Sequence, residues 1–224
     1  MPPPLMLTRA LVDRLPPRVD EEEPLPGAPV PPEYYQDMAT RLLAEADPGG
    51  LWIFASGSLI WNPRMPVAER RHAIVHGWRR SFCLGPMRSF RGSPSAPGVM
   101  LSLDRGGQCH GIAQRLAPDN AQADLAALLV TEPPRPPRWV RSKTAQGVVR
   151  AIAFTMDRDW WAYAPEPPLA QLADMLATSV GTMGTMAEYL LNTVEHLAEA
   201  GIHDRHLWRL QRMVAERLAL LPER

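Results

Sequence analysis

The chain has 224 residues, 46% of them apolar, which is enough for a full core in one domain with a decorated terminus. Lys plus Arg and Asp plus Glu balance at 24 each, so no global field favours nucleic acid or an anionic membrane. The two cysteines, Cys83 and Cys109, are expected to be buried thiols, and no apolar run approaches the roughly 18 residues of a membrane span. Because Met1 to Pro4 also lacks a signal-peptide pattern, we expect a reduced, soluble, cytoplasmic protein.

Residues 1–50 are expected to form an N-terminal arm, separate from a main domain over residues 51–224. The stretch from Leu15 to Pro32 is rich in proline and is interrupted by the acidic run from Asp20 to Glu23. An amphipathic segment from Glu33 to Ala46 predicts a short helix at the end of the arm, which packs on the domain or stays partly mobile. A further hypothesis treats the arm as a docking element for a partner.

The core is expected to begin with the apolar run from Leu51 to Ala55, a buried-strand pattern that ends in a loop at Ser56. Four further strand-like runs follow, separated by turns rich in proline and glycine: Ala73 to Leu84, Gly98 to Leu103, Cys109 to Leu116 and Val148 to Thr155. Between the last two, Pro118 to Asn120 predicts a helix start ahead of three leucines, Leu125, Leu128 and Leu129.

The last third of the chain predicts three helices. Apolar residues share a helical face in three groups: Leu169, Leu172 and Leu176; Leu190, Val194 and Leu197; and Leu207, Leu210, Val214 and Leu221. Five strands, one intervening helix and a helical C-terminal third make an α+β fold instead of a regular alternation of strands and helices.

Several common chemistries lack their sequence patterns. His72 and His76 share a strand face but stand about 13 Å apart, which is too far for one metal ion. His203 and His206 have no cysteine or carboxylate cluster beside them in sequence, so we predict no metal site. The chain also has no Walker loop, no G-x-G-x-x-G and no G-x-S-x-G, which argues against nucleotide binding and serine hydrolysis.

Two features remain as candidates for a site. The turn from Ser56 to Leu59 contains a glycine, and successive backbone N–H groups of such a turn can converge on a carboxylate; the alternative is an ordinary tight turn. Glu132 precedes Pro133 and Pro134, which end the helix before it and fix the carboxylate near the helix end. Taken alone, Glu132 is expected to be a solvated loop residue.

The order of several segments resembles the ChaC family. Leu51 to Pro63 is similar to the family's first strand and loop, W-x-F-G-Y-G-S-L-x-W-x-P. Downstream similarities occur in the family's order: Glu69 to Phe82, Phe90 to Gly98 (R-G-T-P), Cys109 to Ala113 (C-x-G-V-A), Thr131 to Val140 (R-E…P-R-W), and Gly184 to Asp204 (G-S-N-x-E-Y-L…T-V-x-x-L…G-I-x-D). The resemblance covers about residues 51 to 215.

This resemblance implies a γ-glutamylcyclotransferase-like fold, a small mixed β-barrel flanked by helices, and a catalytic domain over residues 51–224. It implies cleavage of glutathione to 5-oxoproline and cysteinylglycine without a cofactor, with Glu132 as catalytic base and acid. The expected substrate contacts are Ala55, Ser56, Gly57, Ser58, Leu59 and Ile60 around the substrate carboxylate, and Arg91 as a second carboxylate partner. Arg91 has the alternative interpretation of an exposed loop arginine.

The chain departs from the family pattern at two places. Ser56 stands where the family has tyrosine, after Ala55 instead of glycine, and Gly184-Thr185-Met186 replaces a serine-asparagine pair, which adjusts helix capping. Two alternatives therefore stay open: a cyclotransferase for another γ-glutamyl amine or peptide, and a binding protein of this fold with impaired catalysis. The sequence predicts a small-molecule substrate and no nucleic acid or membrane partner, and it does not decide the oligomeric state.

Overall fold

The computed structural model describes residues 4–24, 26 and 29–223. Met1 to Pro3, which enter the prediction about a signal peptide, lie outside these residues, as do Leu25, Gly27 and Ala28 of the proline-rich stretch. The elements follow in chain order: α1 (Arg9–Val12), α2 (Pro32–Ala44), β1 (Trp52–Ala55), a 3₁₀ helix (Ser58–Ile60), β2 (Val67–Met87), β3 (Gly98–Leu116), α3 (Ala121–Thr131), β4 (Arg138–Thr144), β5 (Gly147–Ala153), α4 (Leu169–Thr178), β6 (Val180–Gly181), β7 (Gly184–Thr185), α5 (Met186–Glu199) and α6 (Arg205–Leu218).

The chain folds into two compact units, each assembled from separate segments. The barrel unit comprises Gly27–Arg80 and Leu103–Thr155. The helical unit comprises Met1–Pro26, Ser81–Ser102 and Met156–Arg224. The long strands β2 and β3 contribute residues to both units.

Five strands close into a barrel in the order β1-β3-β2-β4-β5. Strand β1 pairs antiparallel with β3 and parallel with β5, while β4 pairs antiparallel with β2 and β5. The expected mixed β-barrel is therefore confirmed. Its core forms because side chains alternate along each strand, so that Trp52 and Phe54 join Val75, Val140 and Ala151 in one buried cluster.

The barrel has five strands, as many as were predicted, but two of the predicted strands are parts of one, and β4 and the short two-stranded sheet of β6 and β7 were not predicted. The runs at Gly98 to Leu103 and Cys109 to Leu116 form one strand, β3, although Gly106 and Gly107 between them have positive φ angles of 103° and 67°. Strand β4 was missed because two of its buried positions are the polar residues Ser142 and Thr144, so it lacks an apolar alternation.

The helical unit contains the three predicted C-terminal helices, α4, α5 and α6, which pack on one another. Their predicted apolar faces are buried, with Leu172, Leu190 and Leu207 completely inaccessible to solvent. Leu169 is partly buried, and Leu221 lies outside the helix: α6 ends at Leu218, and Leu221 is 36% exposed. The following residue is Pro222, which disfavours helical backbone at the residue before it. In the part of the chain that the structure describes, no helix is long and apolar enough to cross a membrane.

The first part of the N-terminal arm packs within the helical unit. The N–H groups of Met6 and Leu7 both donate to Oε1 of Gln211, at 2.9 and 2.8 Å. Further along, Glu21 accepts a hydrogen bond from Ser95. Glu22 accepts one from Thr182, and Glu23 accepts one from Arg88. The N–H of Val19 donates to the carbonyl of Gly181, and all of these partners belong to the same unit. The predicted helix at the end of the arm is α2, which belongs to the barrel unit and packs on α3.

Candidate active site

The site begins where β1 ends, and a close approach of backbones shapes it. Gly111 on β3 lies against the last residues of β1: a Cβ there would stand 2.4 Å from the carbonyl oxygen of Ala55 and 2.8 Å from the ring of Phe54. Any side chain would therefore push the two strands apart. Glycine at this position lets β3 support the loop that follows Ala55.

The carbonyl groups of that loop are each fixed by a hydrogen bond. Arg80 Nε donates to the carbonyl of Ser56 at 2.5 Å. Within the turn, the N–H of Ile60 donates to the carbonyl of Gly57 at 2.9 Å, and the N–H of Asn62 donates to the carbonyl of Ser58 at 2.7 Å. The last two bonds close the 3₁₀ helix onto its own first turn.

The three N–H groups that follow these carbonyls are consequently fixed as well, because C=O and N–H point in opposite directions across a trans peptide. They belong to Gly57, Ser58 and Leu59, and among the described residues they donate no hydrogen bond. We call these three groups the amide cradle. Successive unpaired N–H groups attract an anion, and here they are oriented before any ligand arrives. Ile60 was expected in the same cradle, but its N–H is used inside the turn.

Two further side chains hold the cradle from the strands behind it. Gln114 on β3 is completely buried, and its Nε2 donates to the carbonyl of Leu59 at 2.9 Å. Arg70 on β2 donates to the carbonyl of Ile60 at 3.3 Å. The sequence analysis missed Arg80, Arg70 and Gln114; a polar residue inside the apolar run of β3 was the one signal that pointed to Gln114.

Glu132 occupies the predicted place at the end of a helix. Helix α3 stops at Thr131, and Glu132 has extended backbone with φ −103° and ψ 165°. Pro133 accounts for this, since a residue before proline is driven out of the helical region. The partly buried Glu132 side chain is thus held at the helix end by backbone chemistry.

The carboxyl group of Glu132 titrates far from its ordinary range. Burial raises its pKa from 4.5 to about 8, and the positive charge of Arg64 opposes this rise only in part. The carboxyl group of Glu132 is therefore mostly protonated at neutral pH. Its pKa is still close enough to neutral pH for the group to give up and take back a proton. A carboxyl group with such a pKa is suited to act first as a base and then as an acid.

Asn62 and Arg64 connect Glu132 to the amide cradle. The backbone of Asn62 is bonded to Ser58, as described above. With its amide oxygen turned toward Arg64, the Asn62 side chain accepts hydrogen bonds from Nε and Nη2 of Arg64 at 3.0 and 3.2 Å. Arg64 in turn acts electrostatically on Glu132. The barrel unit thus brings an anion-binding turn, an arginine and a perturbed carboxyl group into one neighbourhood.

Arg91, the other predicted contact, lies in the helical unit. Its Nη1 donates to the carbonyl of Thr185 and to Oε2 of Glu188, each at 2.9 Å. Its side chain is 14% exposed, so the alternative of an exposed loop arginine was wrong. The substrate-binding role of Arg91 stays a prediction. Thr185 also caps α5 by accepting from the N–H of Glu188, as the departure from the family pattern suggested.

Among residues 4–24, 26 and 29–223, no group of three His, Cys, Asp or Glu side chains is placed to hold a metal ion.

Residues 51–217 match the family model described as ChaC-like protein. A glutathione-specific gamma-glutamylcyclotransferase of Escherichia coli (strain K12) is 33% identical over 171 residues, which cover 75% of this chain and 74% of that protein. Gamma-glutamylcyclotransferase 2-3 of Arabidopsis thaliana is 28% identical, with 73% of this chain and 88% of that protein covered.

The fold is also similar to that of a solved structure. The crystal structure of a selenomethionine-labelled yeast gamma-glutamyl cyclotransferase specific to glutathione superimposes with a TM-score of 0.66 at 21% identity. The match covers 75% of this chain and 96% of that chain. At this identity the superposition establishes the fold: a closed five-stranded barrel with flanking helices, as the sequence predicted.

Proposed function

Because the chain belongs to the ChaC-like family, we propose that it is a glutathione-specific γ-glutamylcyclotransferase, a lyase that degrades glutathione to 5-oxoproline and cysteinylglycine. The single observation that carries the proposed site is Glu132, whose pKa burial raises to about 8. The proposed catalytic domain spans residues 51–224. The two buried thiols and the choice of glutathione as substrate support a cytoplasmic location.

Substrate binding starts at the amide cradle. The α-carboxylate of the γ-glutamyl half accepts hydrogen bonds from the N–H groups of Gly57, Ser58 and Leu59. Charge-assisted bonds of this kind are stronger than bonds between neutral groups. Because Arg80 and the turn itself already orient these N–H groups, little order has to be gained when the substrate binds.

Proton transfer then activates the substrate amine. The α-ammonium group of the substrate is mostly protonated at neutral pH. Because the pKa of Glu132 is raised to about 8, its ionised form accepts this proton at a smaller cost than an ordinary glutamate would. The products of this transfer, a neutral amine and a neutral carboxylic acid, are both favoured by a site that disfavours charge. Glu132 is thereby the general base.

Ring closure follows within the one substrate molecule. The amine nitrogen attacks the γ-carbonyl carbon, a new C–N bond closes the five-membered lactam, and the C–N bond to cysteine breaks. Glu132 returns its proton to the departing cysteine nitrogen and then takes the second proton from the ring nitrogen, which becomes the lactam N–H. The released cysteinylglycine amine accepts this second proton, so protons balance and no water is consumed. Fixing both reacting atoms at near-attack distance lowers the entropic part of the barrier. Because every step uses Glu132 and substrate groups, the proposed reaction requires no cofactor.

The experiment that tests this function is incubation of the purified protein with glutathione, followed by mass spectrometry. We expect equal amounts of 5-oxoproline and cysteinylglycine from the native protein and none above background from Glu132→Gln. Glutamate in place of 5-oxoproline would indicate hydrolysis and contradict the mechanism. Assays of γ-glutamylcysteine and other γ-glutamyl amines alongside glutathione distinguish the alternative of a different γ-glutamyl substrate.

Ser56 favours one alternative, a γ-glutamyl-binding protein with impaired catalysis. Its side chain is partly buried at the start of the cradle, where the family pattern has the larger aromatic tyrosine. We expect Ser56→Tyr to raise kcat/KM for glutathione by about threefold to tenfold, on the order of the 1 kcal/mol that an added aromatic contact contributes. Tight binding of glutathione without any product, in both proteins, would favour the impaired form.

A further inference from the structure

Arg64 has an unusual backbone conformation beside the proposed site. Its φ angle is +58°, in the left-handed region that residues with a Cβ rarely adopt. In the described part of the chain, only Phe90 shares this feature among residues other than glycine. Such a conformation is strained and persists where the surroundings hold the residue in place. The exposed side chain of Arg64 therefore starts from a fixed position.

The guanidinium group of Arg64 is anchored on one side only. The Asn62 amide oxygen accepts from Nε and Nη2, and the same residue is bonded through its N–H to the carbonyl of Ser58. A guanidinium group carries five N–H donors, so three remain after these two bonds. Asn62 thus holds the arginine beside the amide cradle and leaves a fork of donors available.

The charge of Arg64 is not neutralised by its neighbours. Among the described residues, Arg64 makes no ion pair with a carboxylate. Glu132 is the acid that its charge reaches, but that carboxyl group is mostly protonated at neutral pH because its pKa is about 8. The site therefore presents an oriented and uncompensated cation next to its general base.

We propose that Arg64 binds the terminal carboxylate of the leaving half of the substrate, which is the glycine carboxylate when the substrate is glutathione. This inference rests on the proposed function. Glutathione carries two carboxylates, and the amide cradle takes the one on the γ-glutamyl half. The other belongs to the departing half, whose nitrogen has to lie beside Glu132, the residue on which the charge of Arg64 acts.

Through this contact, Arg64 determines which γ-glutamyl compounds bind well, although it lies outside the part of the site that holds the γ-glutamyl half. The amide cradle and Glu132 address groups that every γ-glutamyl compound shares. Arg64 distinguishes compounds with a carboxylate at the far end from simple γ-glutamyl amines, because a planar guanidinium pairs with a carboxylate through two parallel hydrogen bonds.

The test compares glutathione with its glycinamide analogue, which lacks the terminal charge. We expect the native protein to prefer glutathione by about 10- to 100-fold in kcat/KM, the range that a charged hydrogen-bonded contact supplies. Arg64→Gln is expected to abolish this preference, mainly through KM for glutathione, so that the two substrates have similar kcat/KM values. Arg64→Lys, which keeps the charge but loses the fork, should retain part of the preference.

A second variant separates recognition from folding. Arg64→Gly relieves the left-handed backbone, so we expect it to be at least as thermally stable as the native protein and yet to lose the preference for glutathione. An equal loss of activity toward both substrates in Arg64→Gln and Arg64→Gly would overturn the inference, because it would show that Arg64 acts only through Glu132.

Binding measurements keep this test independent of turnover. Calorimetry on Glu132→Gln and on the double variant with Arg64→Gln gives Kd values for glutathione and its glycinamide. If Glu132→Gln binds glutathione more tightly than the glycinamide, and the double variant does not, the inference is supported. This result would support it even if the native protein forms no product and the proposed function fails. Equal Kd values for both ligands in both proteins would contradict it.

Discussion

Two partly buried glutamates, Glu132 in the barrel unit and Glu166 in the helical unit, titrate in opposite directions. Burial raises the pKa of Glu132 to about 8. Burial also favours a higher pKa for Glu166, but hydrogen bonds from His206, the Phe82 N–H and Ser81 outweigh it and lower the pKa below the ordinary value of 4.5. The donors account for the difference: Glu166 accepts from Ser81 at 3.0 Å and from Phe82 at 2.7 Å, with His206 Nε2 2.9 Å away.

The comparison teaches that burial alone does not predict how a carboxyl group behaves. Glu166 is a carboxylate that joins β2, the 156–168 segment and α6 within the helical unit. Glu132 has a positive charge nearby but few donors, so it keeps its proton to a higher pH. A group that stabilises the fold and a group that is suited to move protons thus differ in their hydrogen-bond partners.

The largest expected contrast between the two glutamates is in turnover. Glu132→Gln should lower kcat for glutathione by about 10²- to 10⁴-fold, the usual contribution of a general acid and base. Glu166→Gln serves as the matched control, and below its melting temperature we expect kcat within about threefold of the native value. Rates of 5-oxoproline release measure both; similar losses in the two variants would break the comparison.

Stability as a function of pH should separate the two residues next. Because the folded pKa of Glu132 lies above the unfolded value, ionisation costs stability as pH rises from 4.5 toward 8. Glu132→Gln is therefore expected to be more stable at pH 9, by on the order of 2 kcal/mol. The full shift sets an upper bound of about 5 kcal/mol at about 1.4 kcal/mol per pKa unit, and residual hydration of the partly exposed side chain reduces it.

Thermal melting at several pH values measures this gain, which should vanish near pH 4. A gain that is the same at pH 4 and pH 9 would show that it does not come from the titration of Glu132.

Glu166→Gln should have the opposite effect. The lowered pKa of Glu166 gives stability that is present above pH 4.5 and is lost as pH falls. The pKa of His206 is raised, chiefly by Glu166, so its contribution is present below 6.5 and is lost as pH rises. The pair therefore stabilises most between about pH 4.5 and 6.5, and chemical denaturation should show the largest loss in Glu166→Gln there. A loss confined to pH above 8 would contradict this assignment.

A smaller effect is expected from Arg64→Gln, which should change the pH dependence of activity that Glu132 controls. Activity requires ionised Glu132, so kcat/KM for the native protein is expected to rise as pH approaches the Glu132 pKa of about 8. Removing Arg64 removes the cation that lowers this pKa, which moves the rise to higher pH. Profiles recorded with the glycinamide analogue isolate this effect from carboxylate binding; a rise at lower pH in the variant would have the wrong sign.

Much of the fold could be predicted because periodic apolar residues mark it. The helices of the last third follow the burial of leucines such as Leu172 and Leu190, and β1 follows its apolar run. Strand β4 could not be predicted in this way, since its inward side chains include hydroxyl groups at Ser142 and Thr144. The division of β3 into two strands failed because Gly106 and Gly107, a turn pattern in sequence, lie inside a continuous strand.

Some residues of the candidate site could likewise be predicted from the sequence, and others could not. Glu132 and the turn at Gly57 were predictable from proline and glycine chemistry together with the order of the family segments. Arg80 and Gln114 were not, because they bond to main-chain carbonyls from strands that are distant in sequence. Long-range contacts of this type have no local periodicity, and they decide where the N–H groups of the cradle point.

Direct titration of the Glu132 carboxyl group tests the central claim most closely. Carbon-13 NMR of protein labelled at the glutamate side-chain carboxyl, with Glu132→Gln used for assignment, gives the midpoint of this one group. We predict a midpoint near pH 8, as expected for a carboxyl group that burial keeps protonated. A midpoint near 4.5 would mean that Glu132 is an ordinary solvated glutamate, and the proposed proton transfer would lose its basis.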